Sequence, residues 1–219
     1  MRDLITFLEE RLSNHLPGQK AQMKMAPKPV ADNNRQARAM EAPENAHQSS
    51  VLVLIFPNQD NEPELILTLR SSDIDHGGQI SFPGGRAEEG EHTIETALRE
   101  AWEEIGIDQE AVTVIGQLSD LYVRHSNNVV RPVVGIIDNR PEFQINPREV
   151  EEVFAVELRS LIQKKNLTVE DWDLSKHTYR VPFWDVHRVP LWGATAMMLN
   201  ELLDLYREFL NRSSGTDKL

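Results

Sequence analysis

The 219-residue sequence contains no cysteine. Disulfide frameworks, thiolate zinc sites, iron–sulfur clusters and cysteine nucleophiles are therefore excluded. No apolar run approaches the roughly 18 residues that a membrane span requires, so we expect no membrane segment. The first 18 residues carry Asp3, Glu9 and Glu10 among their apolar positions and lack the apolar stretch of a signal peptide. These absences predict a cytoplasmic protein.

Positive charge is also scarce, because 23 Lys and Arg face 35 Asp and Glu, which gives a formal net charge of -12. A broad surface that coats nucleic acid is therefore disfavoured. The apolar fraction of 40% and the charged fraction of 26% are ordinary for a globular protein. The length suits one domain, or one domain with an appendage.

The N-terminal part differs in character from the rest. Apolar residues at helical spacing predict an amphipathic helix over residues 3–16, which Pro17 and Gly18 end. Residues 18–49 are polar and contain three prolines, which predicts a loosely packed arm. We therefore divide the chain into an N-terminal helix and flexible arm (1–48), a main domain (49–212) and a disordered tail (213–219). The apolar stripe of the helix must dock on its own domain or on a second subunit, which would make a homodimer.

The remaining sequence alternates between strand and helix patterns. Strands are predicted at 49–56, 64–69, 79–82, 112–119, 129–138, 150–158, 167–172 and 179–184. Helices are predicted at 93–105 and 194–210, with a short one at 159–164. This order predicts a mixed α/β or α+β fold rather than repeated βαβ units.

The helix predicted at 93–105 lies in an acidic stretch, because residues 88–110 hold nine carboxylates and a single base, Arg99. Thr93 is a plausible N-cap and Gly106 a plausible C-terminal cap. Its predicted core face consists of Ile94, Ala97, Leu98, Ala101 and Ile105.

Glu100, Glu103 and Glu104 fall together on another arc of this helix. Oxygen ligands at this density suit Mg²⁺ or Mn²⁺, although a solvated acidic face would give the same pattern.

The spacing of the residues around the three glutamates distinguishes a metal site from a solvated acidic face. The stretch 85–107 fits G-x5-E-x7-R-E-U-x-E-E-x-G-U, where U is a bulky apolar residue. The matching residues are Gly85, Glu91, Arg99, Glu100, Glu103, Glu104, Gly106 and Ile107, with Ala101 a weak match for the first U. This pattern resembles the signature of the Nudix hydrolase family.

The resemblance implies an α/β/α sandwich with a mixed sheet, and metal-dependent attack by water on a nucleoside diphosphate linked to another group. It implies that Glu100, Glu103 and Glu104 are metal ligands together with the carbonyl of Gly85. It further implies that Glu100 or Glu103 helps to orient the attacking water, and that Arg99 and Glu91 form a supporting ion pair.

The residues just before this pattern resemble the motif of the coenzyme A pyrophosphatase branch of the family. The matching residues are Leu67, Thr68, Arg70, Ser71, Gly78, Gln79, Phe82, Pro83, Gly84 and Gly85. The chain departs from the motif in lacking a second arginine between Ser71 and Gly78, and in being one residue short there. An arginine is the usual partner of a phosphate such as the 3′-phosphate of CoA.

Other residues enter as weaker candidates for the site. Arg70, Gly78, Gln79, Phe82 and Arg86 are predicted to bind substrate. The candidates to replace the absent arginine are His76, Arg70, Arg86 and Arg124. Glu149 or Glu152 is a candidate for a further metal ligand or a base. His125 and Arg131 are candidates for anionic groups of the substrate, and Trp184 and Trp192 are candidates for stacking on adenine, although core or surface packing is the favoured interpretation for both.

The sequence thus predicts an Mg²⁺- or Mn²⁺-dependent pyrophosphohydrolase. CoA or acyl-CoA would be cleaved to phosphopantetheine, or its acyl form, and adenosine 3′,5′-bisphosphate. The same chemistry on ADP-ribose, sugar nucleotides or nucleoside triphosphates is an alternative. A Nudix-like binding module without catalysis is a second alternative, of a different class.

Overall fold

The structure, a computed structural model, describes residues 1–31, 41–72, 77–174 and 176–216, with side chains up to residue 213 in the last helix. His76 lies outside these residues, so its predicted role stays a prediction. The helices are α1 (Arg2–Leu12), α2 (Gln19–Gln22), α3 (Thr93–Ile105), α4 (Leu158–Leu161) and α5 (Gly193–Thr216). The strands are β1 (Lys28–Pro29), β2 (His47–Pro57), β3 (Pro63–Arg70), β4 (Ile80–Ser81), β5 (Gly84–Arg86), β6 (Thr113–Gln117), β7 (Leu121–Val123), β8 (Asn128–Ile136), β9 (Val150–Glu157), β10 (Leu167–Leu174) and β11 (His177–Trp184).

The main sheet is mixed. Its described strands follow the order β4-β3-β2-β8-β6, with β9 paired to β3, β5 paired to β2 and β7 paired to β8. Strands β2 and β8 run parallel, from His47 opposite Asn128 to Ile55 opposite Ile136, whereas β3 pairs antiparallel with β2, β4 and β9. The predicted mixed fold is confirmed.

Helices cover both faces of this sheet. Leu52, Leu54 and Phe56 of β2 face one apolar cluster, which they share with α3. Val53 and Ile55 face the other cluster, which they share with α1 and α5. A strand buried on both faces reads as a continuous apolar run rather than an alternating one, which accounts for the sequence VLVLIF. The architecture is therefore three layers, α/β/α.

A smaller antiparallel sheet has the order β1-β11-β10. Its β10–β11 hairpin pairs from Leu167 opposite Trp184 to Leu174 opposite His177. Within the described part of the chain, no helix is long and apolar enough to cross a membrane.

The N-terminal segment is more tightly packed than its composition suggests. Helix α1 ends at Leu12 rather than at residue 16 and buries Leu4, Phe7, Leu8 and Leu12 in the domain core. Its apolar stripe therefore docks on its own domain, the first of the two predicted alternatives. A homodimer stays a prediction.

The prediction of a loose arm is wrong for residues 18–31. The Glu201 carboxylate on α5 is fully buried and accepts hydrogen bonds from the Gly18 N–H, the Gln22 amide and the Ser119 hydroxyl. Strand β1 then pairs with β11. The Gln22 side chain thus bonds a buried carboxylate instead of facing solvent, and a count of polar residues does not reveal such pairing.

Helix α3 begins and ends where the sequence predicted, but two details differ. The N-cap is His92 rather than Thr93, and its backbone N–H donates to the Glu95 carboxylate at 2.9 Å. Ile94 is 38% exposed and is not a core residue, whereas Ala97, Ala101 and Ile105 are fully buried. Ile94 lies in the first turn, beyond the edge of the sheet contact.

We expect Leu8→Ala to lower the free energy of unfolding by about 2–5 kcal/mol, because it leaves a cavity at a fully buried position between α1 and the sheet. Chemical denaturation measures the change. Glu9→Ala, at an exposed position of the same helix, is the matched control and should change little. Equal stability of the two variants would show that α1 does not belong to the folding unit.

Candidate active site

The site is built where β5 meets the C-terminal half of α3. Strand β5 pairs with β2, with Gly85 opposite Ser50 and Gly84 opposite Val51. Gly84 has a φ of +151°, and a Cβ there would lie 2.6 Å from the Val51 Cα, so only glycine fits. A Cβ on Gly85 would collide with the Glu100 carboxylate. Glu100 therefore lies directly against the backbone of β5.

Arg99 is the centre of the polar network. It donates from Nε and Nη2 to the two carboxylate oxygens of Glu91, at 2.7 and 2.9 Å. It also donates from Nη1 to Glu100 and Glu103, both at 3.0 Å, and from Nη2 to the Arg86 carbonyl at 3.0 Å. The paired guanidinium lowers the pKa of Glu91 to about 2. The predicted ion pair is present, and it fixes the loop before α3 against the helix.

Glu104 behaves differently from its two partners. It is 2% exposed, accepts a hydrogen bond from the Gly84 N–H at 3.0 Å and lies 3.5 Å from the Arg70 Nη1. Burial raises its pKa to about 7, and burial also raises the pKa of Glu100. The Glu103 side chain, in contrast, is 42% exposed. The three glutamates share one arc of the helix, but Glu104 is buried whereas Glu103 is exposed to solvent.

A fourth carboxylate faces the same cluster. The negative charge of Glu149 raises the pKa values of Glu100 and Glu104, although burial has the larger effect on both. The Asn146 amide donates to Glu149 at 2.9 Å and so orients it. Glu149 also borders a pocket of about 550 Å³ beside α3. The pocket is lined by Trp102, Glu103, Gly106, Asp108, Gln144, Asn146 and Glu149.

These residues fit a hard divalent cation through their chemistry. The donors are carboxylate and carbonyl oxygens, and burial raises the pKa values of two of the carboxylates, Glu100 and Glu104. In the described ranges, however, no three acidic or histidine side chains converge closely enough to enclose an ion. Arg99 instead holds two of the carboxylates, Glu100 and Glu103. Donor type alone therefore supports a metal site here, with Arg99 as the present counterion.

The structure distributes the predicted substrate-binding residues unevenly. Arg70 reaches Glu104, and its backbone bonds Gln79 and Gly78 at 3.0 Å each, so these three are held together. Phe82 is 1% exposed, so its side chain is a core residue and is not presented to a substrate. The Arg86 side chain is exposed beside the Arg99 network.

The weaker candidates lie elsewhere. Arg124 and His125 are exposed in the turn after β7, and Arg131 donates to Asp120. Glu152 is bound by Arg188 and His187 rather than directed at α3. The two tryptophans proposed for stacking have packing roles, because Trp184 is 1% exposed and donates to the Leu161 carbonyl, and Trp192 packs edge-on against Trp172.

Sequence reasoning missed two features of the pocket. One is Trp102, which is 56% exposed next to Glu103. The other is the segment with Gln144 and Asn146, whose backbone N–H groups bond the Ile105 and Glu104 carbonyls. The exposure of Trp102 was indicated by the sequence, because Trp102 lies off the apolar face of the helix. The position of Gln144 and Asn146 was not indicated, since it depends on how a loop distant in sequence returns to α3.

The chain was compared with known proteins. A family model described as the NUDIX domain matches residues 46–178. A Nudix hydrolase 3 of Caenorhabditis elegans is 32% identical over 180 residues, which cover 74% of each chain. A protein of Photorhabdus laumondii named uncharacterized Nudix hydrolase NudL is 33% identical over 183 residues, which cover 83% of this chain and 90% of the relative. A solved Nudix hydrolase of M. smegmatis, RenU, has a TM-score of 0.55 at 18% identity, covering 74% of this chain and 87% of that one. This structural likeness shows the fold alone.

We expect the buried Glu104 to destabilise the metal-free protein at alkaline pH. Burial raises the pKa of Glu104 from the ordinary glutamate value of 4.5 to about 7 in the folded state, so stability falls as pH rises between these values. Glu104→Gln should therefore raise the free energy of unfolding at pH 8 by up to about 3 kcal/mol, with a smaller gain toward pH 5.

Urea unfolding of chelator-treated protein at both pH values measures this effect. Glu110→Gln, at an exposed position, is the control and should be neutral. A Glu104→Gln variant that is less stable than the parent at pH 8 would contradict the assignment of a costly buried carboxylate.

Proposed function

Because the chain belongs to the Nudix hydrolase family, we propose that it is a metal-dependent pyrophosphohydrolase that cleaves the diphosphate of a nucleotide derivative. We propose CoA or acyl-CoA as the substrate. The products would be phosphopantetheine, or its acyl form, and adenosine 3′,5′-bisphosphate.

One observation carries this proposal: an intact network in which Arg99 joins Glu91, Glu100 and Glu103 beside the β5 backbone. A binding module without catalysis would have no need to keep three partly buried or crowded carboxylates at one place, since each raises the electrostatic cost of folding. The network therefore favours the enzyme over the module.

Mg²⁺ or Mn²⁺ would be held by Glu100, Glu103, Glu104 and the Gly85 carbonyl, with Glu149 as a further candidate. When bound, such an ion neutralises charge on the diphosphate and makes a water molecule more acidic. The chain's own residues complete the site. Arg99 fixes the loop against α3, and Asn146 orients Glu149 as a candidate to accept the proton of the attacking water.

The choice of CoA depends on the segment between Arg70 and Gly85. In the structure this segment returns to β3 through backbone bonds of Arg70 with Gln79 and Gly78, and its end forms the β5 wall of the site. Arg70 lies 3.5 Å from Glu104, and we propose that it contacts the diphosphate of the substrate.

The absent second arginine favours one other candidate, namely the same chemistry on ADP-ribose or another nucleoside diphosphate without a 3′-phosphate. An arginine–phosphate hydrogen bond is worth about 1.5–3 kcal/mol, or roughly one to two decades in affinity. Recognition of the 3′-phosphate should therefore be weak unless Arg86, Arg124 or His76 substitutes.

A substrate panel tests both candidates. The protein is incubated with Mg²⁺ or Mn²⁺ and CoA, 3′-dephospho-CoA, acetyl-CoA, ADP-ribose, NADH or dGTP, and the products are resolved by chromatography. We expect turnover of CoA and dephospho-CoA with kcat/KM values within about tenfold of each other.

A preference for CoA of about a hundredfold would mean that another residue reads the 3′-phosphate. Turnover of ADP-ribose alone would move the assignment to the second candidate. No turnover of any compound with either metal would contradict the enzyme proposal.

A further inference from the structure

Trp102 is the most exposed large apolar side chain among the residues that the structure describes, at 56%. It follows Ala101, whose fully buried side chain packs α3 on the sheet, and precedes Glu103, which bonds Arg99. An exposed indole at this point is not explained by packing. It borders the pocket of about 550 Å³ that also contains Glu103 and Glu149.

The charge of this pocket restricts what it binds. Its lining includes the carboxylates of Glu103, Asp108 and Glu149 and, within the described residues, no lysine or arginine. Without a bound cation, a phosphate group would therefore be repelled from the pocket itself. A neutral, planar group would not be repelled, and the indole of Trp102 is part of the lining.

The opposite wall has a fixed position relative to Trp102. The Gln144 N–H bonds the Ile105 carbonyl at 3.0 Å, and the Asn146 N–H bonds the Glu104 carbonyl at 2.9 Å. Gly106 has a φ of +73°, and a Cβ there would lie 2.7 Å from the Gln144 Cβ, so the two walls meet closely at the end of α3. The pocket is thus formed by ordered backbone on both sides.

Polar groups on this wall suit the edge of a base. The Asn146 amide is already engaged by Glu149, but Gln144 is exposed at the mouth of the pocket. A primary amide offers one donor and one acceptor side by side, which match the amino group and the ring nitrogen of adenine.

We propose that Trp102 stacks on the purine base of the substrate and that Gln144 contacts the edge of that base. This rests on the proposed function, because it places the base beside a diphosphate held at the α3 carboxylates. Glu103 borders the pocket and belongs to the Arg99 network, so the base site and the reaction site are continuous.

The test uses two probes that represent the two halves of the substrate, adenosine 5′-monophosphate and 4′-phosphopantetheine. Binding of each to the full chain in Mg²⁺ is measured by calorimetry. Trp102→Ala should weaken binding of adenosine 5′-monophosphate by about fivefold or more, and Trp102→Phe should restore it to within about threefold, because a base stacks on any aromatic face.

Phosphopantetheine should bind both variants as it binds the parent protein. Ile94→Ala is the matched control, since Ile94 is an exposed apolar residue on the same helix that does not line the pocket. It should leave both affinities unchanged.

Three results would overturn the subsite. The first is that adenosine 5′-monophosphate binds the parent and the Trp102 variants equally, or binds none of them detectably. The second is that Trp102→Ala weakens phosphopantetheine binding as much as it weakens binding of adenosine 5′-monophosphate. The third is that Trp102→Ala dissociates a dimer in sedimentation without changing the affinity for adenosine 5′-monophosphate. The last would mean that Trp102 contacts a second copy of the chain.

Calorimetry needs no turnover, so the two proposals fail separately. Turnover without Trp102-dependent nucleotide binding would leave the enzyme assignment standing and overturn the subsite. Trp102-dependent binding without turnover of any panel compound would leave the subsite standing and overturn the enzyme assignment.

Discussion

The site depends on one guanidinium group, that of Arg99, which is shared among several carboxylates. Arg99 uses all five of its N–H donors, on the carboxylates of Glu91, Glu100 and Glu103 and on the Arg86 carbonyl. These bonds join the loop after β5 to α3 and hold carboxylates together that would otherwise repel one another. Because the guanidinium is planar and always charged, lysine would not reproduce this arrangement. The placement of Glu91, Glu100 and Glu103 beside one another therefore depends on this single side chain.

The cluster also shows a conflict between stability and chemistry. Glu104 is nearly as buried as the core residues around it, and its desolvation is only partly offset by the Gly84 N–H and by Arg70. A neutral residue would fit this position at lower free energy, but it would remove a charge from the place where a divalent cation is needed. Perturbed carboxylates of this kind mark functional sites more often than structural ones. The fold tolerates the cost because β5 and α3 are anchored on both sides, by the sheet and by Arg99.

Much of the fold and of the candidate site was predictable from the sequence, for a physical reason in each case. Helix α3 has a clear apolar face and end signals, so its bounds were predicted correctly, and its acidic residues follow from a fixed spacing. The burial of Glu104 and the pocket beside Trp102 could not be predicted, because they depend on how β5 and the loop at 144–146 return to the helix. Residues 18–31 were predicted to be loose because they are polar, whereas the Gly18 N–H and the Gln22 amide bond the buried carboxylate of Glu201. Long-range pairing of this type leaves no local pattern.

The central claim is that the α3 carboxylates support hydrolysis by holding a divalent cation. The most direct measurement combines Mn²⁺ binding, followed by the loss of the free-ion paramagnetic resonance signal, with turnover of CoA by the same samples. Glu103→Gln, at the open end of the cluster, should keep the fold, weaken Mn²⁺ binding and lower kcat by roughly a hundredfold, while Glu110→Gln should match the parent. Full turnover in the presence of a chelator, or unchanged Mn²⁺ affinity and rate in Glu103→Gln, would contradict the account.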